Sequence, residues 1–288
     1  MAGELAQEAA EARDARADAA APRPKPVAGT RRRRWFSPLP WILPLVLLAL
    51  WQASLSFGWV KPYQLTPPLD VLASAGEEWR RGVLQSDIIA TVVRVLAGFA
   101  IGAAVAVLLG LVTGLSRRAH QAMEPTLQAL RSIPTLAWGP LLLLWLGITD
   151  VPKILLVAIG AFFPVYVNLV AGIHGVDRKL IEVARIYNLG WLATARRVIL
   201  PAATPSLFTG LRLGISQAWL FVVVAEIFGA TKGLGFRLTD SQQSTRVDLM
   251  LVAMLTLAVL GKIADTIVVA IERRALSWRD SIGTEEGL

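Results

Sequence analysis

The stretch IIATVVRVLAGFAIGAAVAVLLGLVTGL, Ile88 to Leu115, carries one charged side chain, Arg94, and from Val95 to Ser116 it carries none. A helix rises about 1.5 Å per residue, and about 20 apolar residues cross the hydrocarbon of a bilayer. The stretch therefore predicts a transmembrane helix. Working outward, five further apolar runs fall at about 39–58, 133–149, 151–173, 205–228 and 248–271. The run at 133–149 is at the short end, and Pro134 and Pro140 predict an irregular start to it. The chain reads as an all-α polytopic membrane protein with six transmembrane helices.

Composition agrees. Of the 288 residues 55% are hydrophobic and 17% are charged, and mean hydropathy is +0.55. Soluble domains carry about 25% charged residues. The net charge of +8 sits mostly in tails and loops that flank the apolar runs, a pattern of membrane orientation rather than of nucleic-acid binding. With no Cys and two His, disulfides, thiolate chemistry and Cys- or His-rich metal sites are excluded.

An N-terminus inside the cell gives six spans with both termini cytoplasmic. Of the 29 Lys and Arg, nineteen then fall in inside segments and seven outside, as the positive-inside rule asks. Arg31, Arg32, Arg33 and Arg34 precede the first run. No small-x-small cleavage site closes that run, so it reads as a retained first helix with the arginines as its cytoplasmic anchor. Residues 1–37 read as a disordered cytoplasmic tail and 277–288 as a cytoplasmic C-terminal tail around a membrane domain, 38–276. Thr66-Pro67-Pro68 opens either a short interfacial helix capped by Thr66 or a plain loop, running to about Arg81.

Gly98, Gly102, Ala106, Gly110 and Gly114 recur every fourth residue, and Gly210 and Gly214 repeat the device. Small residues on one face let two membrane helices approach backbone to backbone. The partner is either in the same chain or in a second copy. Pro164 predicts a kink near Ala161.

Arg94, Arg212, Glu226, Lys262 and Asp265 fall within spans, where a lipid-facing charge is costly. Helix depth predicts that Arg212 pairs with Asp265, with Lys262 one turn away, and that Arg94 pairs with Glu226. These groups, with Asn168 and Gln217, either line a solute path or fix helix register.

Between the fourth and fifth runs lies GVDRKLIEVARIYNLGWLATARRVILPAATPS, Gly175 to Ser206. Its coupling-loop portion, 176–204, is too polar to span. Asp177 is placed to cap a helix whose apolar side is Leu180, Ile181, Ala184 and Ile186. Asn188 and Gly190 both tolerate a left-handed helix end. A second helix is expected from Trp191 to Leu200, stopped by Pro201.

This loop resembles that of ABC-type importer permeases, whose pattern is Glu-Ala-Ala, three residues, Gly, nine residues, Ile-x-Leu-Pro. Glu182, Val183, Ala184, Asn188, Val198, Leu200 and Pro201 occupy the matching positions, with Val183, Asn188 and Val198 departing from it. The resemblance covers about 38–280 and is strongest to the nitrate, taurine and aliphatic-sulfonate branch. It is carried by LRSIPTLAWGPLLLLWLGI (Leu130–Ile148), FPVYVNLVAGI (Phe163–Ile173), LPAATPSLFTGLRLGISQAWLFVVVAEI (Leu200–Ile227) and GKIADTIVVAIERR (Gly261–Arg274).

The resemblance implies the type I importer permease fold, an inner-membrane location and no catalysis in this chain. It also implies a second copy of the permease, two ATP-binding cassette ATPase subunits and an extracytoplasmic solute-binding protein. The chain has no GxxxxGK[ST] loop, so ATP and Mg would be bound by the partner ATPase. The resemblance makes Glu182, Val183, Ala184, Asn188, Gly190, Leu200 and Pro201 the coupling residues and aliphatic sulfonates the expected solute. A secondary transporter would show inverted repeats, and none is seen. A membrane enzyme would need more catalytic groups than the spans hold.

Overall fold

The computed structural model describes residues 39–61 and 64–276. Both expected tails and the arginine anchor lie outside the described residues. The chain falls into two units, Met1–Leu47 and Leu48–Leu288. The described part of the first is the opening of helix α1 (Leu39–Ser56), whose later turns belong to the second.

The second unit is all helical among the described residues. Helix α2 (Pro68–Arg80) follows Pro67, with no side-chain cap from Thr66. The Thr66 carbonyl instead accepts a hydrogen bond from the Trp51 indole at 3.1 Å. Gly82, at φ 78°, turns the chain directly into α3 (Val83–Leu115), which therefore starts five residues earlier than its apolar run. Ser116 caps α4 (Arg117–Ser132) by accepting from Ala119 N. A short 3₁₀ turn then leads to α5 (Trp138–Leu146). Helix α6 spans Asp150–His174 and runs on through Pro164.

The expected span at 133–149 is corrected here. Nine residues of α5 rise only about 14 Å, too little to cross. Only together do α4 and α5, bent by 77° at the break, reach the length and hydropathy of a span. At one end His120 of α4 meets His174 of α6, and at the other Gly139 and Gly229 bring α5 against Phe228 and Leu143 against α9 (Leu200–Gly229). The bent pair thus returns the chain along the whole bundle, which allows α3 and α6 to run parallel.

Helix α6 is the axle. The stripe predicted on α3 packs against it in the same chain. A Cβ on Gly98 would stand 2.6 Å from Val157 Cβ, and one on Gly114 2.6 Å from Ile173 Cδ1. At Gly102 it would run into the carbonyl oxygen of Ala158. From the other side Gly210 and Gly214 of α9 lie on Pro164, Val165 and Ala161. In lipid there is no hydrophobic force between helices, so this backbone-to-backbone contact supplies dispersion that bulkier residues would forfeit. Val95, Val157, Ala161, Ile215, Ala218 and Val222 fill the junction of the three helices.

Helix α10 (Leu234–Gln243) occupies what the sequence reads as an outer loop, and α11 (Val247–Ala275) closes the chain. Val71, Leu84, Leu234 and Val252 join α2, α3, α10 and α11, with Trp51 of α1 packed on them. Ser74 also donates to Asp248 at 2.7 Å. Among the described residues four helices are long and apolar enough to cross a membrane, or five if the bent pair is one span.

Overpacking costs about 1–3 kcal/mol, so Gly102→Ala is expected to destabilise the detergent-solubilised protein by that amount or more in thermal unfolding. Gly76→Ala on α2, where a Cβ meets nothing within 4 Å, is expected to be neutral or stabilising by up to about 1 kcal/mol.

Candidate functional site

Three groups of residues carry chemistry. The first is a buried ion network where α3, α6, α9 and α10 meet. Asp87, Thr91 and Arg94, four and three residues apart, lie along the face of α3 that continues into Gly98. Arg94 Nη1 donates to Glu226 Oε1 at 2.8 Å and to the Lys232 carbonyl at 2.7 Å. Its Nε and Nη2 donate to Asp150 Oδ1 at 3.0 and 2.7 Å. The predicted Arg94–Glu226 pair therefore forms, with Glu226 fully buried.

Glu226 also accepts from Thr91 Oγ1 at 2.9 Å and from Gly235 N at 2.7 Å. Leu234 N donates to Thr91 Oγ1 and Gly233 N to Asp87 Oδ1, both at 2.9 Å. The three backbone N–H groups at the head of α10 are thus held by acceptors from α3 and α9. The positive end of a helix dipole favours carboxylates placed there. Gly233, at φ 128°, admits no side chain, because a Cβ would overlap the Glu226 carboxylate. Arg237 closes the network on Asp87 Oδ2 at 2.9 Å.

Two of the seven cations counted outside, Lys153 and Arg237, lie within helices: Lys153 is buried in α6, its ammonium donating to Thr149 O at 2.7 Å, and Arg237 sits in α10. Asp87, Thr91 and Asp150 were missed. Their spacing relative to Arg94 was the available signal for the first two. A pocket of about 290 Å³ opens beside the network, lined by Arg94, Asp150, Lys153, Lys232 and neighbours.

The second group lies deeper along α9 and α11. Arg212 Nε donates to Asp265 Oδ1 at 2.8 Å, and Lys262 Nζ stands 3.6 Å from Asp265 Oδ2. Unlike the first network, this one is open, since Arg212 is half-exposed and Lys262 largely so. Gln217 is exposed one turn on, whereas Asn168 folds back to donate to Pro164 O at 2.8 Å. Asn168 therefore supports the α6–α9 contact at Gly210.

The third group is the hairpin between α6 and α9. Asp177 caps α7 (Arg178–Ile186), its carboxylate accepting from Lys179 N at 2.9 Å. The helix ends in a Schellman turn. Leu189 N donates to Ala184 O at 3.0 Å, Asn188 N donates to Arg185 O at 2.9 Å, and Asn188 takes φ 53°. Asn is the residue after Gly that tolerates this conformation best. Gly190 does not share that role. It is extended, at φ −60° and ψ 161°, ahead of the single turn α8 (Trp191–Thr194).

Pro201 does not stop the second helix, contrary to expectation. A π turn, Ala195–Ile199, passes directly into α9, and Pro201 lies in the first turn of that helix. Leu200 N donates to Ala195 O, five residues back. The wider turn shifts the hydrogen-bond register, so the missing N–H of proline falls at a helix start, where none is needed. Trp191 to Gly229 is one continuous helical rod.

Helix α7 is apolar on two sides. Ala184 is buried, and α7 packs against the π turn. On the other side Leu180, Val183, Ile186 and Tyr187 are exposed, and Trp191 and Leu192 extend the patch. Glu182 is exposed beside it.

Removing one partner of a buried ion pair costs about 3–5 kcal/mol. Glu226→Leu and Arg94→Met are each expected to destabilise the protein by that amount in thermal unfolding. The combination Arg94→Met/Glu226→Leu is expected to cost less than the two single changes together, as a coupled pair requires.

Residues 98–277 match the family described as binding-protein-dependent transport system inner membrane component. The permease protein SsuC of Bacillus subtilis (strain 168), named for aliphatic sulfonates transport, is 39% identical over 92% of this chain and 94% of its own length. SsuC of Escherichia coli (strain K12) is 37% identical over 86% and 94%. The MetNI methionine ABC transporter, solved in inward-facing conformations, superposes at a TM-score of 0.56 and 20% identity, over 69% of this chain and 98% of that one. That likeness carries the type I importer permease fold. The chain belongs to the binding-protein-dependent transport system inner membrane components, as the non-catalytic permease subunit of an ABC importer.

Proposed function

We propose that this permease subunit moves aliphatic sulfonates across the inner membrane, and that the hairpin 176–204 is the contact through which a separate ATPase subunit drives it. The observation that carries the coupling role is the unpartnered apolar patch on a polar loop. Ile186, Tyr187 and Leu192 are each about three-quarters exposed and Trp191 is 63% exposed. Side chains of this kind, ringed by Arg178, Lys179, Glu182 and Arg185, have the make-up of a protein interface, with an apolar centre and a charged rim. The Asp177 cap and the Asn188 turn stiffen α7, and a rigid element transmits displacement.

The full assembly is then two copies of this chain, two ATPase subunits that bind ATP and Mg, and an extracytoplasmic binding protein. The sulfonate assignment is supported by the two SsuC relatives, each matched over 94% of its length. Six spans with both termini cytoplasmic, the orientation in which the nineteen-to-seven charge bias was counted, would put the hairpin on the ATPase side.

Interface hot spots are worth about 2 kcal/mol or more. Tyr187→Ala and Trp191→Ala are each expected to weaken co-purification of the ATPase subunit by roughly 30-fold while leaving thermal unfolding unchanged. Glu182→Ala is expected to abolish solute-stimulated ATP hydrolysis in the assembled complex. A strain lacking the gene should lose growth on an aliphatic sulfonate as sole sulfur source. Full ATPase binding by both aromatic variants would refute the coupling role, and undiminished growth would refute the solute.

A further inference from the structure

Helix α9 has two unlike faces. Gly210, Gly214, Ala218 and Val222 are buried toward the bundle. On the far side Thr209, Arg212 and Ser216 are exposed at positions three and four apart, with Gln217 beside them. Arg212 lies about 18 Å along the rod from Leu200 and about 25 Å from Gly229, by helix rise. These polar groups therefore sit at hydrocarbon depth. A charged side chain facing lipid there costs about 3 kcal/mol or more. The face must therefore look onto water or protein.

Its close contacts do not balance. Arg212 and Lys262 share a single carboxylate within ion-pair distance, Asp265, and Glu272 acts on Arg212 only from farther off. A pair that served only to fix register would need one cation. Of the five guanidinium N–H donors, the Nε and one Nη2 hydrogen reach Asp265, the latter at 3.5 Å. The other Arg212 donors are uncommitted, and the exposed Lys262 ammonium keeps donors to spare beyond its 3.6 Å ion pair with Asp265.

We propose that the face Thr209–Arg212–Ser216 of α9, with Lys262 of α11, lines the solute path and is a transient binding site for the sulfonate group of the solute. This deepens the importer reading and rests on it. A sulfonate carries one negative charge spread over three acceptor oxygens. A planar guanidinium can meet two of them side by side, and the ammonium can meet a third. Asp265 keeps the site weak, because it competes for Arg212 whenever the anion leaves. A site on a transport path must release as readily as it binds.

The chain has no Cys, so a single Ser216→Cys reports on this face without background from the permease, and the unaltered complex gives the background of its partners. In the assembled complex in nanodiscs, Ser216→Cys is expected to react with a thiol reagent that itself bears a sulfonate group, and added ethanesulfonate is expected to slow that reaction. Arg212→Gln should reduce ethanesulfonate uptake at least tenfold, and Lys262→Gln severalfold, with the ATPase still co-purifying. The exchange Arg212→Asp/Asp265→Arg keeps an ion pair between α9 and α11 but moves the cation, and it is expected to stay assembled without restoring uptake. An inert Ser216→Cys, as a second copy or lipid covering the face would produce, overturns the proposal. So does wild-type uptake by the exchanged pair, which would make the pair structural. No uptake by the unaltered complex overturns the importer reading itself, and this proposal with it.

Discussion

Glu226 is a fully buried carboxylate, and the rest of the bundle is arranged around its needs. Left without partners at that depth, the charge would cost several kcal/mol. It is met instead by a guanidinium and a hydroxyl from α3 and by a backbone N–H at the head of α10. Each of those partners comes from a fixed place along its helix. The carboxylate thereby sets the register of α3 against α9 and pins α10 across them. Once that register is set, Gly98 and Gly102 face Val157 and Ala158, and Gly214 faces Ala161 and Val165. The polar network supplies specificity, and the glycine contacts supply the close packing that lipid does not enforce.

The same arrangement divides the chain into a stiff part and a less covered one. Helices α3, α6 and α9 touch through their backbones, and α6 is the most covered of the long helices. Helix α11 is the least covered. Along its lower length it meets α9 through the Arg212–Asp265 pair and the contact of Gly261 with Trp219. The hairpin joins the stiff part without a break, because the π turn carries the helix past Pro201. A displacement at Trp191 is therefore a displacement of the rod that bears both Arg212 and Glu226. Had Pro201 ended the helix, a hinge would stand between the hairpin and the membrane.

The long spans were legible because hydropathy at this length has few other readings. The pairing of Arg212 with Asp265 was legible because depth along two antiparallel helices is simple counting. The course of Arg117 to Leu146 was not, since its first half is polar enough to read as a loop and only the parallel course of α3 and α6 shows that it returns the chain along the bundle. Helix α10 was read as a loop for a related reason. It is held by side chains from distant helices rather than by its own propensity, and Asp87, Thr91, Gly233 and Arg237 become meaningful only together. In the hairpin, the cap and the left-handed Asn188 followed from local chemistry. The continuity through Pro201 did not, since a π turn leaves no mark in the sequence.

The two ion clusters also differ in kind, and the difference bears on what each is for. In the first, Asp87, Asp150, Glu226, Arg94, Lys153 and Arg237 all have bonded partners, and Asp240 stands 3.6 Å from Arg237 besides. Five of those six side chains are mostly or fully buried, Asp150 being the exception. Such a cluster can fix geometry, but it has nothing left to offer a passing ion. In the second, two cations lean on one carboxylate and face outward from the bundle. Burying an unbalanced charge against lipid would be the worst use of it, so its surplus makes sense only where water or an anion reaches it. The buried cluster belongs to the scaffold, and the exposed one is the surface that we propose a solute meets.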